Sequence, residues 1–254
     1  MTAPKLLVHQ LRLEQRAFWR NPETAFFTFA LPVGLLLIFG FTSAHDRVPG
    51  RPDLQGLTLF VPGILAFGII VAAYGTLAAT IAMLRADGVL KRIRATPLAP
   101  GMYLAGQLAS VLATSLIVAA TTIVLGRVAF DIAPRSGSLP TLIGTLALGI
   151  VCFSALGLAV SALIPRADAA GAITNGTYLP LALVSGTFSS GLTLPSWLDH
   201  VVSAFPIKAL TDGLRAGYDP ASHGPSLGSV LVLAVWAMIG IAVAHRFFRW
   251  EPTR

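Results

Sequence analysis

The chain has 254 residues, 55% of them hydrophobic and 11% charged, with a formal net charge of +7. An average soluble domain carries about 25% charged residues, so charge this sparse, between long apolar runs, points to an integral membrane protein. The positive balance does not imply nucleic acid, because the basic residues are split among short loops and no basic domain stands apart to hold a duplex.

Residues Pro4 to Arg20 read as an amphipathic helix. Lys5, His9, Arg12, Arg16 and Arg20 form one basic stripe, and Leu7, Leu11 and Phe18, with Leu6 and Trp19 nearby, face away from it. That pattern suits a helix lying in the membrane interface with its basic side toward anionic headgroups. A cleaved signal peptide competes with this reading, since an apolar stretch follows a basic start and ends near Thr42-Ser43-Ala44. The apolar stretch is longer than the roughly 7–15 residues of a signal h-region, and the basic start is too extended.

The first span is expected over about 24–43, with Pro22 at its start, where a missing N–H costs little. Residues 44–56 are polar, hold two prolines and read as a loop. The second span covers about 57–84, longer than the ~20 residues a bilayer needs, so it tilts or projects. Further spans are expected over about 102–126, 139–164, 169–188 and 226–245. A tight turn, Pro165-Arg166-Ala167-Asp168, joins the fourth to the fifth, a mixed segment over 189–225 precedes the sixth, and a basic tail follows it.

Six spans put both termini on one side. Arg47, Arg51, Arg127, Arg135, Lys208 and Arg215 then lie opposite the termini, and the other twelve of the eighteen lysines and arginines lie on the terminal side. The bias places both termini in the cytoplasm. The fold expected is all-α: one integral membrane domain of six helices, with no strand alternation and no internal repeat. Small residues inside the spans, such as Gly149, Gly157 and Gly240, allow close helix approach. Cys152, the sole cysteine, sits in an apolar run and cannot pair within the chain, and no Cys/His cluster suggests a metal site.

Between the second and third spans lies a short charged stretch, residues 85–101. Leu84, Val89, Leu90 and Ile93 supply one apolar face, and Asp87, Lys91, Arg92 and Arg94 face water or a partner. Thr96-Pro97 ends this helix, because proline disfavours helix in the residue before it and lacks a donor. Composition leaves open whether the stretch is a solvated connector or a docking surface.

The sequence from Asp87-Gly88 through Leu90-Lys91-Arg92-Ile93-Arg94, Thr96-Pro97-Leu98 and Tyr103-Leu104-Ala105-Gly106-Gln107 resembles the cytoplasmic coupling segment of ABC-2 type transporter permeases. Aspartate stands where that family usually has glutamate before the glycine, and Gln107 where lysine is common. A second likeness runs from Asn175 through Pro180 to Ser185-Gly186, similar to the family's fifth span. Leu194-Pro195-Ser196-Trp197, Phe205-Pro206, Asp212 and Arg215 resemble its extracellular helical element, which dips back into the outer leaflet. The resemblance covers nearly the whole chain and is closest to drug-resistance permeases of the daunorubicin-exporter type.

The resemblance implies a permease subunit of an ATP-driven exporter in a bacterial plasma membrane, paired with a second permease and with nucleotide-binding subunits that carry the ATP and Mg. The chain itself has no GxxxxGK[ST] loop. Asp87, Gly88, Lys91, Arg92, Arg94, Thr96, Pro97 and Leu98 would couple to the ATPase. Lys5, Arg12, Arg16 and Phe18 would belong to the interface helix beside that joint. Asn175, Thr177, Pro180 and Ser185 would line the transport path or the dimer interface, Asn175 being favoured because an amide inside a bilayer needs several partners. Pro195, Trp197, Pro206, Asp212 and Arg215 would shape an outer gate. No acidic residue lies mid-span, which speaks against a proton-driven antiporter and suits apolar or amphipathic cargo. Other readings are a lipid or polysaccharide exporter, a membrane scaffold, and an intramembrane hydrolase built on Ser185 and His245. The last lacks the glycine that serine proteases of that kind place two residues before the nucleophile, where Leu183 stands.

Overall fold

Inside a bilayer every backbone N–H and C=O needs a partner within the protein, so apolar runs of this length fold as helices. The computed structural model describes residues 3–42, 47–48, 51–96, 98, 100–164, 166–188, 195–222 and 224–248. Pro97, residues 189–194 and the basic tail beyond 248 lie outside the described residues. The first helix, α1 (Ala3–Arg20), leads directly into α2 (Pro22–Thr42), with Asn21 Oδ1 accepting from the Thr24 amide at 3.2 Å. The expected loop contains a short antiparallel hairpin, β1 (Arg47–Val48) and β2 (Arg51–Gln55). Pro52 is compatible with it because a two-stranded ribbon leaves one edge of each strand unpaired.

The second span is composite: α3 (Gly56–Ile70), a π-helical turn (Val71–Thr76) and α4 (Leu77–Ala86). A short helix, α5 (Val89–Arg94), precedes α6 (Pro100–Phe130). The chain continues through α7 (Leu139–Leu163), a 3-10 turn (Ala167–Ala169), α8 (Ala170–Val184), α9 (Ser196–Ser203), α10 (Pro206–Arg215) and α11 (Leu227–Phe247). The third span is longer than expected, reaching Phe130, and the last one starts on Ser226, whose Oγ accepts from the Ser229 amide at 3.0 Å.

Among the described residues, five helices are long and apolar enough to cross a membrane. The fifth expected span, 169–188, corresponds to α8, whose 15 residues rise only about 22 Å at 1.5 Å per residue, short of the ~30 Å hydrocarbon core. Its continuation, residues 185–188, is a turn stitched back by the Ser185 and Thr187 amides to Leu181 and Ala182.

The composite second span is the axis of the fold. It is 89% buried over its most apolar window, against 22% for α2 and 17% for α11. The helices α2, α6, α7, α8 and α10 pack around it, and Ile64, Leu65, Phe67, Ile69 and Ile70 are wholly or almost wholly enclosed. Contact between the second and fourth spans reaches the backbone. A Cβ on Gly157 of α7 would lie 2.9 Å from the Ala73 carbonyl oxygen and 3.0 Å from that of Tyr74.

Candidate functional site

The charged stretch forms a helix-turn-helix at one end of the bundle. Asp87 closes α4, its amide donating to Met83 O at 2.9 Å, and Gly88 adopts a left-handed φ of 68°. That conformation suits a residue without a Cβ and lets the chain reverse into α5. A six-residue helix has no stability of its own. This one is held by Leu90, which is fully buried, and by Ile93 and Leu98, half-buried against the same core. Thr96 finishes it: its hydroxyl donates to Ile93 O at 2.7 Å and accepts from the Leu98 amide at 3.3 Å.

Asp87, Lys91, Arg92 and Arg94 are left facing outward. The Arg92 guanidinium reaches back to Asp87 O at 3.0 Å. Among the described residues Lys91 and Arg94 have no ion-pair partner. The expected boundary at Arg85 is corrected by the structure. Arg85 belongs to α4 and is only 6% exposed, because its guanidinium finds backbone carbonyls in the fourth span.

Following α5 in the chain, α6 has α1 packed along its first turns. Lys5, Arg12 and Arg16 are exposed and Phe18 is half-buried, as the stripe pattern predicts. The inward face is more polar than that pattern implies. Gln15 Nε2 donates to Ser110 O and Ser110 Oγ at 2.9 Å and to Thr114 Oγ1 at 3.0 Å. Glu14 accepts from Gln10 at 2.7 Å and from Gln107 at 2.5 Å, and Gln107 also donates to Tyr103 Oη at 3.0 Å. Glu14 recurs at helical spacing with Leu7, Leu11 and Phe18, which is the signal in the sequence that places it inward.

At the opposite end, α9 starts after Pro195 and α10 has Pro206 in its first turn, buried. Arg215 is the anchor there. Its Nε donates to Leu59 O at 3.0 Å and its Nη2 to Gly186 O at 2.6 Å, tying α10 to the start of α3 and the turn after α8. Asp212 is shared between Lys208 at 3.4 Å and Arg215 at 3.9 Å, and Lys208 also meets Asp199 at 3.3 Å. Sequence reading missed Lys208 and Asp199. Trp197 stands 67% exposed, away from this cluster's bonds.

The family model for ABC-2 type transporters matches residues 7–218. The chain belongs to the ABC-2 type transporter family. None of the curated proteins compared with it matches. The matched region runs from α1 through α10, so this ABC-2 membrane domain includes the α5 turn, α8 and the Arg215 anchor, with α11 beyond the match.

On α8 of this ABC-2 protein, Asn175, Thr177 and Pro180 are exposed, together with Gly171, Gly176 and Leu179. The Thr177 hydroxyl donates to Thr174 O at 2.7 Å, so the 2.6 Å contact from Tyr74 in the π-helical turn is a bond donated by the phenol. Asn175 makes no side-chain hydrogen bond among the described residues. Ser185 does not join this face. It is buried, and its hydroxyl donates within its own helix to Leu181 O at 2.5 Å. Ser185 ends α8 far from α5, whereas His245 ends the antiparallel α11 at the α5 end, so the two are not a hydrolytic pair.

Proposed function

We propose that this chain is the permease subunit of an ATP-driven exporter. It works as a pair of permeases in a bacterial plasma membrane with both termini cytoplasmic, and a separate nucleotide-binding subunit supplies ATP and Mg. The observation that carries this reading is α5. A helix too short to stand alone is pinned by Leu90 and Ile93, and it turns Lys91, Arg92 and Arg94 outward, with no ion-pair partner for Lys91 or Arg94 among the described residues. A solvated connector has no need of buried anchors or a left-handed glycine turn. A surface that must meet an acidic cleft in fixed orientation does. Closure of the ATPase on ATP then favours one arrangement of the spans over another through contacts made differently in each.

The exposed, uncharged face of α8 around Asn175 is the surface for the second permease or for cargo. An apolar or amphipathic small molecule fits a path without membrane-embedded carboxylates. Copurification from the host in mild detergent, with mass spectrometry and an ATPase assay, tests the reading. A stoichiometric partner with a Walker loop, and no hydrolysis by this chain alone, is the expected result. A homogeneous oligomer without an ATPase contradicts it.

A further inference from the structure

Arg85 lies at the last turn of α4, two residues before Asp87 and three before Gly88, where the chain turns into α5. Its guanidinium is enclosed, and Nη2 donates to Ser161 O at 2.6 Å and to Ile164 O at 2.9 Å. These carbonyls end α7. The last carbonyls of a helix lack partners within it and carry its negative pole, so a cation there is doubly suited. A buried charge must be paired, and these two bonds cross from the second span to the fourth.

The joint is reinforced elsewhere. Gly157 brings α7 into backbone contact with the π-helical turn, and α4 also touches the 3-10 turn Ala167–Ala169. The second span and the near end of the fourth are therefore fastened at mid-depth by backbone contact and at the α5 end by Arg85.

We propose that Arg85 is a positioning residue that transmits displacement of α5 to the fourth span, by locking the end of α4 to the last carbonyls of α7. This rests on the reading of α5 as the ATPase-docking helix. Lysine in place of Arg85 keeps the charge but presents a point donor instead of a fork, so it transmits only part of the movement.

The test uses the permease–ATPase complex in lipid nanodiscs, in a Cys152→Ala background. Spin labels are placed in pairs by Ala95→Cys at the end of α5, Arg166→Cys after α7 and Phe41→Cys at the far end of α2, all exposed positions. Distances are compared between nucleotide-free and ADP-vanadate states. The expected result is that Ala95–Phe41 and Arg166–Phe41 both shift while Ala95–Arg166 does not. Arg85→Gln then loses the Arg166–Phe41 shift and keeps the Ala95–Phe41 shift, and Arg85→Lys recovers part of the loss.

An Ala95–Phe41 shift without an Arg166–Phe41 shift in the chain that keeps Arg85 overturns the proposal, and needs no Arg85 variant to fold. Retention of both shifts in Arg85→Gln overturns it as well. Absence of any Ala95–Phe41 shift with the ATPase bound instead removes the docking role of α5, and the proposal falls with it.

Discussion

Gln107 Nε2 donates to a Glu14 carboxylate oxygen at 2.5 Å across the contact between α1 and α6. This bond joins the interface helix to the base of the third span, nine residues after Leu98. Burial raises the Glu14 carboxyl above its ordinary 4.5, against the two amide bonds, from Gln10 and Gln107, that favour the charged form. The docked state therefore holds the proton more tightly than an undocked α1. Docking is strongest below the ordinary value and weakens as pH rises through the raised one. Mobility of a spin label at Val8→Cys should increase with pH over that window. Glu14→Gln should dock at least as firmly and lose the pH dependence, and a persisting slope in that variant would assign it to another group.

Charge reversal at Arg92 or Arg94 should reduce recovery of the ATPase partner several-fold. Neither side chain is part of the core, so thermal stability of the permease alone should stay within about 0.5 kcal/mol of the parent. The Arg92 bond to Asp87 O is exposed and contributes little to that balance. Undiminished copurification in both Arg92→Glu and Arg94→Glu would remove these residues from the docking surface.

Loss of Arg215 removes the bonds that tie α10 to the Leu59 and Gly186 carbonyls. Arg215→Ala should therefore destabilise the membrane domain by about 1–3 kcal/mol, read as a lower unfolding midpoint in detergent. Trp197→Ala, at an exposed position, should change stability by less than about 0.5 kcal/mol. Equal effects at the two sites would contradict the strut assigned to Arg215.

Gly157 has backbone where a side chain would go. Gly157→Ala should cost roughly 1–3 kcal/mol through overpacking, because neither the Ala73 nor the Tyr74 carbonyl can step aside without bending the central span. Gly176→Ala meets open space and should be neutral or slightly stabilising, since alanine is the better helix former. The same unfolding measurement in detergent distinguishes them.

Much of this was legible in the sequence because apolar length dictates helix in a bilayer. The long runs gave α2, the second span, α6, α7 and α11 within a few residues, and the turn residues Gly88 and Thr96 act as their chemistry suggests. The basic stripe of α1 was equally plain. Polar pairing over long separations leaves no comparable signal in the sequence. Arg85 reads as a solvent charge until its carbonyl partners, 76 and 79 residues away, are known. Arg135 likewise sits in a loop, yet it clasps the carbonyls of Asp219, Pro220 and Ser222. Ser185 groups with Asn175 by sequence proximity alone, but helix rotation and the turn at its end put it inside. The sequence suggests a longer α8 because Ser185-Gly186-Thr187-Phe188 carries no charge to interrupt a span, yet it closes into a turn, which hydropathy does not register.

A photocrosslinking amino acid at Lys91, activated in intact host cells, reports directly what α5 touches. The expected product is a crosslink to a protein carrying a Walker loop, reduced by Arg94→Glu, with no such product from the same probe at Trp197. A crosslink to that protein from Trp197 and none from Lys91 would contradict the docking role of α5.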